Sequence, residues 1–187
     1  QLEDDQSKET LINVIKGKIT GDNQWVQKVF APNQYFPQDI IALGRNESFI
    51  DGGAYVGDTA QIFIEKTSNC FDNIFCFEPS PKNFVQLELA KQKLQQDPRL
   101  HLFKAGLYSQ NTRLWFDDSS IAPSNSICDQ ESATGAIEVV SIDKTINERV
   151  TFIKMDIEGA ELEALKGARE TILKYRPKLA ICVYHNP

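Results

Sequence analysis

The sequence predicts an α/β domain built on a mostly parallel sheet flanked by helices, and three observations lead there. From Glu47 onward, short apolar segments alternate with segments of helical period. The strand-like segments are apolar throughout, the pattern of strands buried on both faces. Several of them end on an acid or a glycine, as at Asp51, Glu78 and Asp156.

Residues 6–19 read as a helix with Leu11, Ile12, Val14 and Ile15 on one side. The stretch from Ala31 to Pro37 breaks that pattern, so residues 1–45 are expected to form a helical N-terminal extension and 46–187 the main domain. Ser48 to Asp51 is the first strand, 52–57 a loop and 58–66 a helix. Asn73 to Phe77 is the second strand, closed by Glu78-Pro79. A helix over 80–95 follows, with Phe84, Leu87, Ala90 and Leu94 on one face. Residues 99–103 are the third strand. Residues 112–116 and 136–140 read as extended pieces around a polar loop. Val150 to Met155 is a strand ending at Asp156. Residues 158–175 read as one helix with Leu162, Leu165, Ala168 and Ile172 toward the sheet, and Lys178 to Val183 is a last strand.

Net charge is −6, and no basic run is present, so a nucleic-acid backbone is not the expected partner. No segment approaches the roughly 18 apolar residues of a membrane helix, so membrane insertion is not expected. Cys70, Cys76, Cys128 and Cys182 form no Cys-x-x-Cys pair, and only two histidines are present. No metal site is therefore expected. Cys76 and Cys182 lie in apolar runs and read as small core residues. A reducing, cytoplasmic setting fits them best.

Ligands of parallel sheets sit at the carboxyl ends of the strands, which directs attention to the loops there. Asp51-Gly52-Gly53-Ala54-Tyr55-Val56-Gly57-Asp58-Thr59 joins the first strand to a helix whose free N–H groups face the loop. The glycine spacing alone also suits a dinucleotide. Asp51 would repel a pyrophosphate on that loop and attract an ammonium group. Its alternative role is to cap the helix or bind loop N–H groups. Glu78 stands where an acid accepts hydrogen bonds from ribose hydroxyls, in nicotinamide and adenosyl cofactors alike, and Pro79 fixes the turn after it. Ala105-Gly106 is small enough to let an adenine ring lie on the backbone. The fourth strand end delivers Asp156 and Glu158 two residues apart, then Gly159. Acids so crowded repel one another and shift in pKa; they either orient and deprotonate a hydroxyl or form ion pairs with Lys154 or an arginine. His185, after the last strand, is a further candidate base.

Taken together these blocks resemble the FkbM family of methyltransferases: Asp51-Gly52-Gly53-Ala54-Tyr55-Val56-Gly57, then Glu78-Pro79-Ser80-Pro81-Lys82-Asn83, then Lys154-Met155-Asp156-Ile157-Glu158-Gly159-Ala160-Glu161 with Leu165-Lys166-Gly167. Order and spacing match from about Glu47 to His185. The resemblance implies a Rossmann-like class I methyltransferase fold. It also implies S-adenosylmethionine as cofactor and methyl transfer to a hydroxyl of a sugar, glycan or natural product, a small-molecule or glycan acceptor. By the same resemblance Asp51, Gly53 and Gly57 line the methionine part and Glu78 the ribose, while Asp156 and Glu158 lie by the methyl group. Domains of the family continue past the fifth strand, so the C-terminal end here reads as truncated. The two alternatives are a nicotinamide-dependent oxidoreductase and a scaffold domain that has kept the fold without catalysis.

Overall fold

The computed structural model describes residues 2–31, 34–37, 40–117, 126–127 and 135–183. The chain divides into two compact units, Gln1–Ala42 and Leu43–Pro187. In the first, α1 (Asp5–Thr20) starts on Asp4, whose side chain accepts from the Ser7 N–H at 2.6 Å, and stops at Gly21 in the left-handed region. The short α2 (Gln24–Gln27) follows. The expected apolar side of α1 is not its buried side. Leu11, Ile12 and Ile15 are exposed, and the buried positions are Asn13 and Gly17. The cause is close approach of the two helices at a residue without a side chain: a Cβ on Gly17 would lie 2.8 Å from Val26 Cγ2.

The second unit holds a five-stranded parallel sheet made of β1 (Ser48–Gly52), β2 (Asn73–Phe77), β3 (Leu100–Phe103), β8 (Phe152–Met155) and β9 (Lys178–Ile181). The spatial order is β3-β2-β1-β8-β9. The chain first builds outward from β1 through β2 to β3, then returns to the other side of β1 with β8. The switch point of the sheet is therefore the gap between β1 and β8, where ligands of such folds bind. Between β3 and β8 the chain forms a second sheet of β4 (Gly106–Leu107), β5 (Thr112–Asp117), β6 (Ser126–Ile127) and β7 (Gly135–Val140), in the order β4-β7-β5-β6. Most of the polar loop between Asp117 and Gly135 lies outside the described residues.

Apolar strands fill both faces of the main sheet. On one, Phe49 stacks between Phe63 and Phe152, with centroids 4.6 and 5.0 Å away. Phe63 belongs to α3 (Asp58–Lys66). On the other, Ile50, Phe75, Phe77, Ile153 and Met155 form one cluster with Ala164 and Ala168. Each large side chain among them contributes about 1.5–3 kcal/mol by leaving water. Cys76 is buried as expected, whereas Cys182 is only half-buried. On α4 (Pro81–Lys93), capped by Ser80, Leu87 is the buried residue.

The single helix expected over 158–175 is two, α6 (Glu161–Lys166) and α7 (Arg169–Tyr175). Gly167 separates them because the backbone there runs against another chain segment: a Cβ would meet the Tyr108 carbonyl oxygen at 2.1 Å. Leu162 is 65% exposed and does not face the sheet. The N-terminus of α7 is capped from α5 (Ile142–Thr145), since the Asp143 carboxylate accepts the Thr171 and Glu170 N–H groups at 2.8 and 2.9 Å. At the amino ends of the strands, the Glu47 carboxylate accepts from the Gly44 N–H and the Lys178 ammonium, both at 2.6 Å, and from the Thr151 hydroxyl. That cluster ties β1, β8 and β9 together. Among the described residues β9 pairs on one side only, with β8, and Leu179 and Val183 are exposed.

Candidate functional site

At the carboxyl ends of β1 and β8, two loops meet backbone to backbone. Gly53 follows β1 at φ +72°, and a Cβ on it would lie 2.0 Å from the Asp156 carbonyl oxygen. The Asp156 N–H donates to the Gly52 carbonyl at 3.1 Å. The glycine loop is fixed from its other side by β2: the N–H groups of Gly53 and Ala54 both donate to the Phe77 carbonyl at 3.0 Å. Gly57, at φ +89°, begins α3 and donates to the Ala54 carbonyl at 2.8 Å.

Beneath the loop lies a buried ion pair. The ladder sets Asp51 of β1 opposite Lys154 of β8. The Lys154 ammonium, 2% exposed, stands 3.0 Å from Asp51 Oδ1. It donates to the carbonyls of Gly52 at 3.1 Å and Gly53 at 2.8 Å. The contact with Asp51 is one of charge rather than an aligned hydrogen bond, and neither Asp51 oxygen has an aligned donor among the described residues. Burial raises the Asp51 carboxyl to about 6; Lys154 opposes that shift, and Asp58 and Asp156 add to it. Burial likewise pushes the thiol of Cys76, opposite Asp51 on β2, well up.

Asp51, expected to line the methionine part of the donor, is placed beneath the loop. Its side chain is 0% exposed and lies under the loop against Lys154. Ala54 is also fully buried, with its N–H taken by Phe77, and Gly52, Gly57 and Thr59 are buried. The loop's accessible positions are Gly53, Tyr55, Val56 and Asp58. Lys154, one of the cations weighed as an alternative partner for the acids of the fourth strand end, pairs with Asp51.

Glu78 sits at the end of β2, buried and held from three sides. Its Oε2 accepts the Tyr55 N–H at 2.9 Å, and its Oε1 accepts the Ser80 N–H at 2.9 Å and the Asn83 side-chain amide at 3.5 Å. The carboxylate is thereby oriented before any ligand arrives. Pro79, half-buried beside it, approaches Gly106 of β4: a Cβ on Gly106 would lie 3.8 Å from Pro79 Cβ. Ala105 is buried at the same corner. Asp156 and Glu158, both half-buried, lie in the turn between β8 and α6. Glu158 adopts φ +56° and Gly159 φ +97°, and the turn is locked by Glu161, whose carboxylate accepts the Ile157 N–H at 3.0 Å. A left-handed glutamate is a strained choice of the sort that recurs at functional turns. His185 lies outside the described residues. Among the described residues no group of three or more His, Cys, Asp or Glu could hold a metal ion, and no helix is long and apolar enough to cross a membrane.

Three residues that build this site carry little signal in the sequence. Lys154 is a lone cation inside an apolar strand, which needs a partner but does not name it. Tyr55, at φ +49° and exposed, has nothing to mark it beyond its place in the loop. Glu161 belongs to the third motif, yet its hold on the turn shows only in the folded chain.

The methyltransferase FkbM domain matches residues 51–187, and so spans the glycine loop, the second sheet and the strand ends at Asp51, Glu78 and Asp156. The chain belongs to the FkbM methyltransferase domain family. Its fold is that of a crystal structure of methyltransferase FkbM from Methylobacillus flagellatus, with a TM-score of 0.82 and 30% identity over 99% of this chain and 46% of that one. Hexuronic acid methyltransferase AglP of Haloferax volcanii is 29% identical over 140 residues, which is 70% of this chain and 55% of that protein. The 2-O-methyltransferase NoeI of Sinorhizobium fredii is 22% identical over 192 residues, 90% of this chain and 77% of that protein. The chain thus spans about half the length of two of these three. The Rossmann-like sheet expected from the motifs is the one found, and the nicotinamide alternative finds no support in these relatives.

Proposed function

We propose that this FkbM domain binds S-adenosylmethionine at the β1–β8 switch point and methylates a hydroxyl group of a sugar or glycan. The observation that carries this reading is the backbone contact of the glycine loop with the Asp156 turn, beside a pre-oriented Glu78. The residues fit such a donor. Glu78 is held in place at the strand end suited to ribose hydroxyls, with two acceptor oxygens. The mouth carries Asp58, Glu78, Asp156 and Glu158, whose charge favours a cation over a pyrophosphate. Two relatives are named for a hexuronic acid and for a 2-O position, which supports a carbohydrate acceptor.

A bound S-adenosylmethionine, held by the glycine loop and Glu78, would supply a methyl group on a positively charged sulfur for transfer to the acceptor oxygen. The protein's contribution is chiefly placement. Holding an oxygen in line, about 3 Å from the methyl carbon, supplies roughly 7–11 kcal/mol of the barrier. Asp156 or Glu158 takes the hydroxyl proton, a contribution of about 10²–10⁴-fold. Calorimetry with S-adenosylhomocysteine and with NAD tests the donor site: binding of the first and not the second is expected. Transfer of a labelled methyl group to a panel of hexuronic acids and oligosaccharides tests the acceptor. Full turnover in both Asp156→Ala and Glu158→Ala would remove these carboxylates from the reaction.

A further inference from the structure

We propose that Lys154 is a positioning residue for the methyl donor, acting from beneath the glycine loop by gripping the Gly52 and Gly53 carbonyls and so holding that loop against the Asp156 turn. The inference rests on the donor site proposed above and adds a residue that never touches the donor.

Stability alone does not account for a lysine in this place. An ammonium and a carboxylate with almost no exposed surface are expensive to strip of water, and apolar residues of similar volume commonly serve a sheet interior as well or better. What apolar residues cannot do is draw two successive carbonyls to one point. Lys154 does this at 3.1 and 2.8 Å. The Gly52 carbonyl accepts from Lys154 and from the Asp156 N–H together, so one oxygen joins the loop after β1 to the acid turn after β8. Lys154 stands on β8 only two residues before Asp156. Any shift of β8 along β1 would thus break the Lys154 bonds to the donor loop and part it from the acid turn. Asp51, 3.0 Å away, offsets the charge of the ammonium beneath the loop. Its complete burial agrees with that supporting role and not with a contact to the donor.

The test compares Asp51→Asn, Lys154→Met and the double variant Asp51→Asn/Lys154→Met with the unaltered protein. Thermal unfolding reads the fold, and calorimetry with S-adenosylhomocysteine reads the donor site. Misplacement on the ångström scale costs on the order of tenfold or more. The double variant, which leaves no buried charge unpaired, is expected to unfold cooperatively and to bind at least about tenfold more weakly. Asp51→Asn leaves the two carbonyl bonds in place and is expected to stay within about threefold. Should a methionine variant fail to fold, Lys154→Gln replaces it, a neutral donor of shorter reach with the same expected loss. Unchanged affinity in a folded Lys154 variant overturns the proposal, as does an Asp51→Asn loss equal to that of Lys154→Met. If the unaltered protein itself binds no S-adenosylhomocysteine, the donor-site reading fails first and the role of Lys154 falls with it.

Discussion

Replacing Gly53 by alanine tests the contact on which the site is built. Two costs arise there. At φ +72° an L side chain is strained, by about 1–2 kcal/mol. The new methyl group would also lie 2.0 Å from the Asp156 carbonyl oxygen and 3.0 Å from its carbon. That partner is backbone, so the two loops must part by more than an ångström; overpacking of this kind costs about 1–3 kcal/mol. The expected loss of stability is therefore roughly 2–5 kcal/mol. Two other glycines separate the causes. Gly57→Ala carries the conformational cost with only side-chain neighbours, at 3.1 and 3.3 Å, whereas Gly167→Ala carries a backbone clash at 2.1 Å without a positive φ. Urea unfolding of the three variants, with S-adenosylhomocysteine calorimetry on each, reads both consequences. Gly167→Ala should destabilise without weakening binding beyond what unfolding explains, while Gly53→Ala should lose affinity by about tenfold or more in its folded fraction. A Gly53→Ala protein within about 1 kcal/mol of the unaltered one, binding equally well, would refute the argument that this backbone contact sets the site.

Three further outcomes follow from single interactions. Asp51 has its carboxyl raised from 3.8 to about 6, first by burial. The native state therefore binds a proton more tightly than the unfolded chain, and this group makes the protein more stable as pH falls from about 7.5 to 5, by roughly 1.4 kcal/mol. Urea melts at the two pH values should show that gain relative to Asp51→Asn/Lys154→Met; parallel behaviour would contradict it. Glu47 titrates in the opposite sense. Burial alone would raise its carboxyl, but the Gly44 N–H, Lys178 and Thr151 together lower it, so its contribution is present above about pH 4.5 and fades as pH falls through the lowered value. Glu47→Ala should cost about 2–3 kcal/mol at neutral pH in the same assay. Asp143→Ala should cost about 1 kcal/mol, the usual worth of a helix cap, and leave donor affinity unchanged.

How far the sequence can be read depends on what fixes each feature. The strands and their end residues are legible because a buried parallel strand is apolar throughout and stops where its ligand loop begins. Asp51, Glu78 and Asp156 can therefore be placed at strand ends from residue order alone. The pairing of Asp51 with Lys154 cannot, since it depends on a register between β1 and β8 that joins positions about a hundred residues apart. The buried face of α1 escapes the sequence pattern for a related reason. Its partner α2 is four residues long, too short to show a period, and it packs at Gly17, where the sequence offers no side chain to suggest a contact. The break between α6 and α7 is likewise set from outside, by the Tyr108 backbone. Two-residue strands such as β4 and β6 give no pattern at all.

Among the described residues, the outer flank of β9 has no partner strand. A strand whose amides face outward is a template for a strand of another molecule, and proteins commonly guard such a flank with lysine. Lys178, at the head of β9, has its ammonium engaged by Glu47 in holding the sheet together. Leu179 and Val183 are exposed beyond it, and as acid loosens the grip of Glu47 the head of β9 should lose its tie to the sheet.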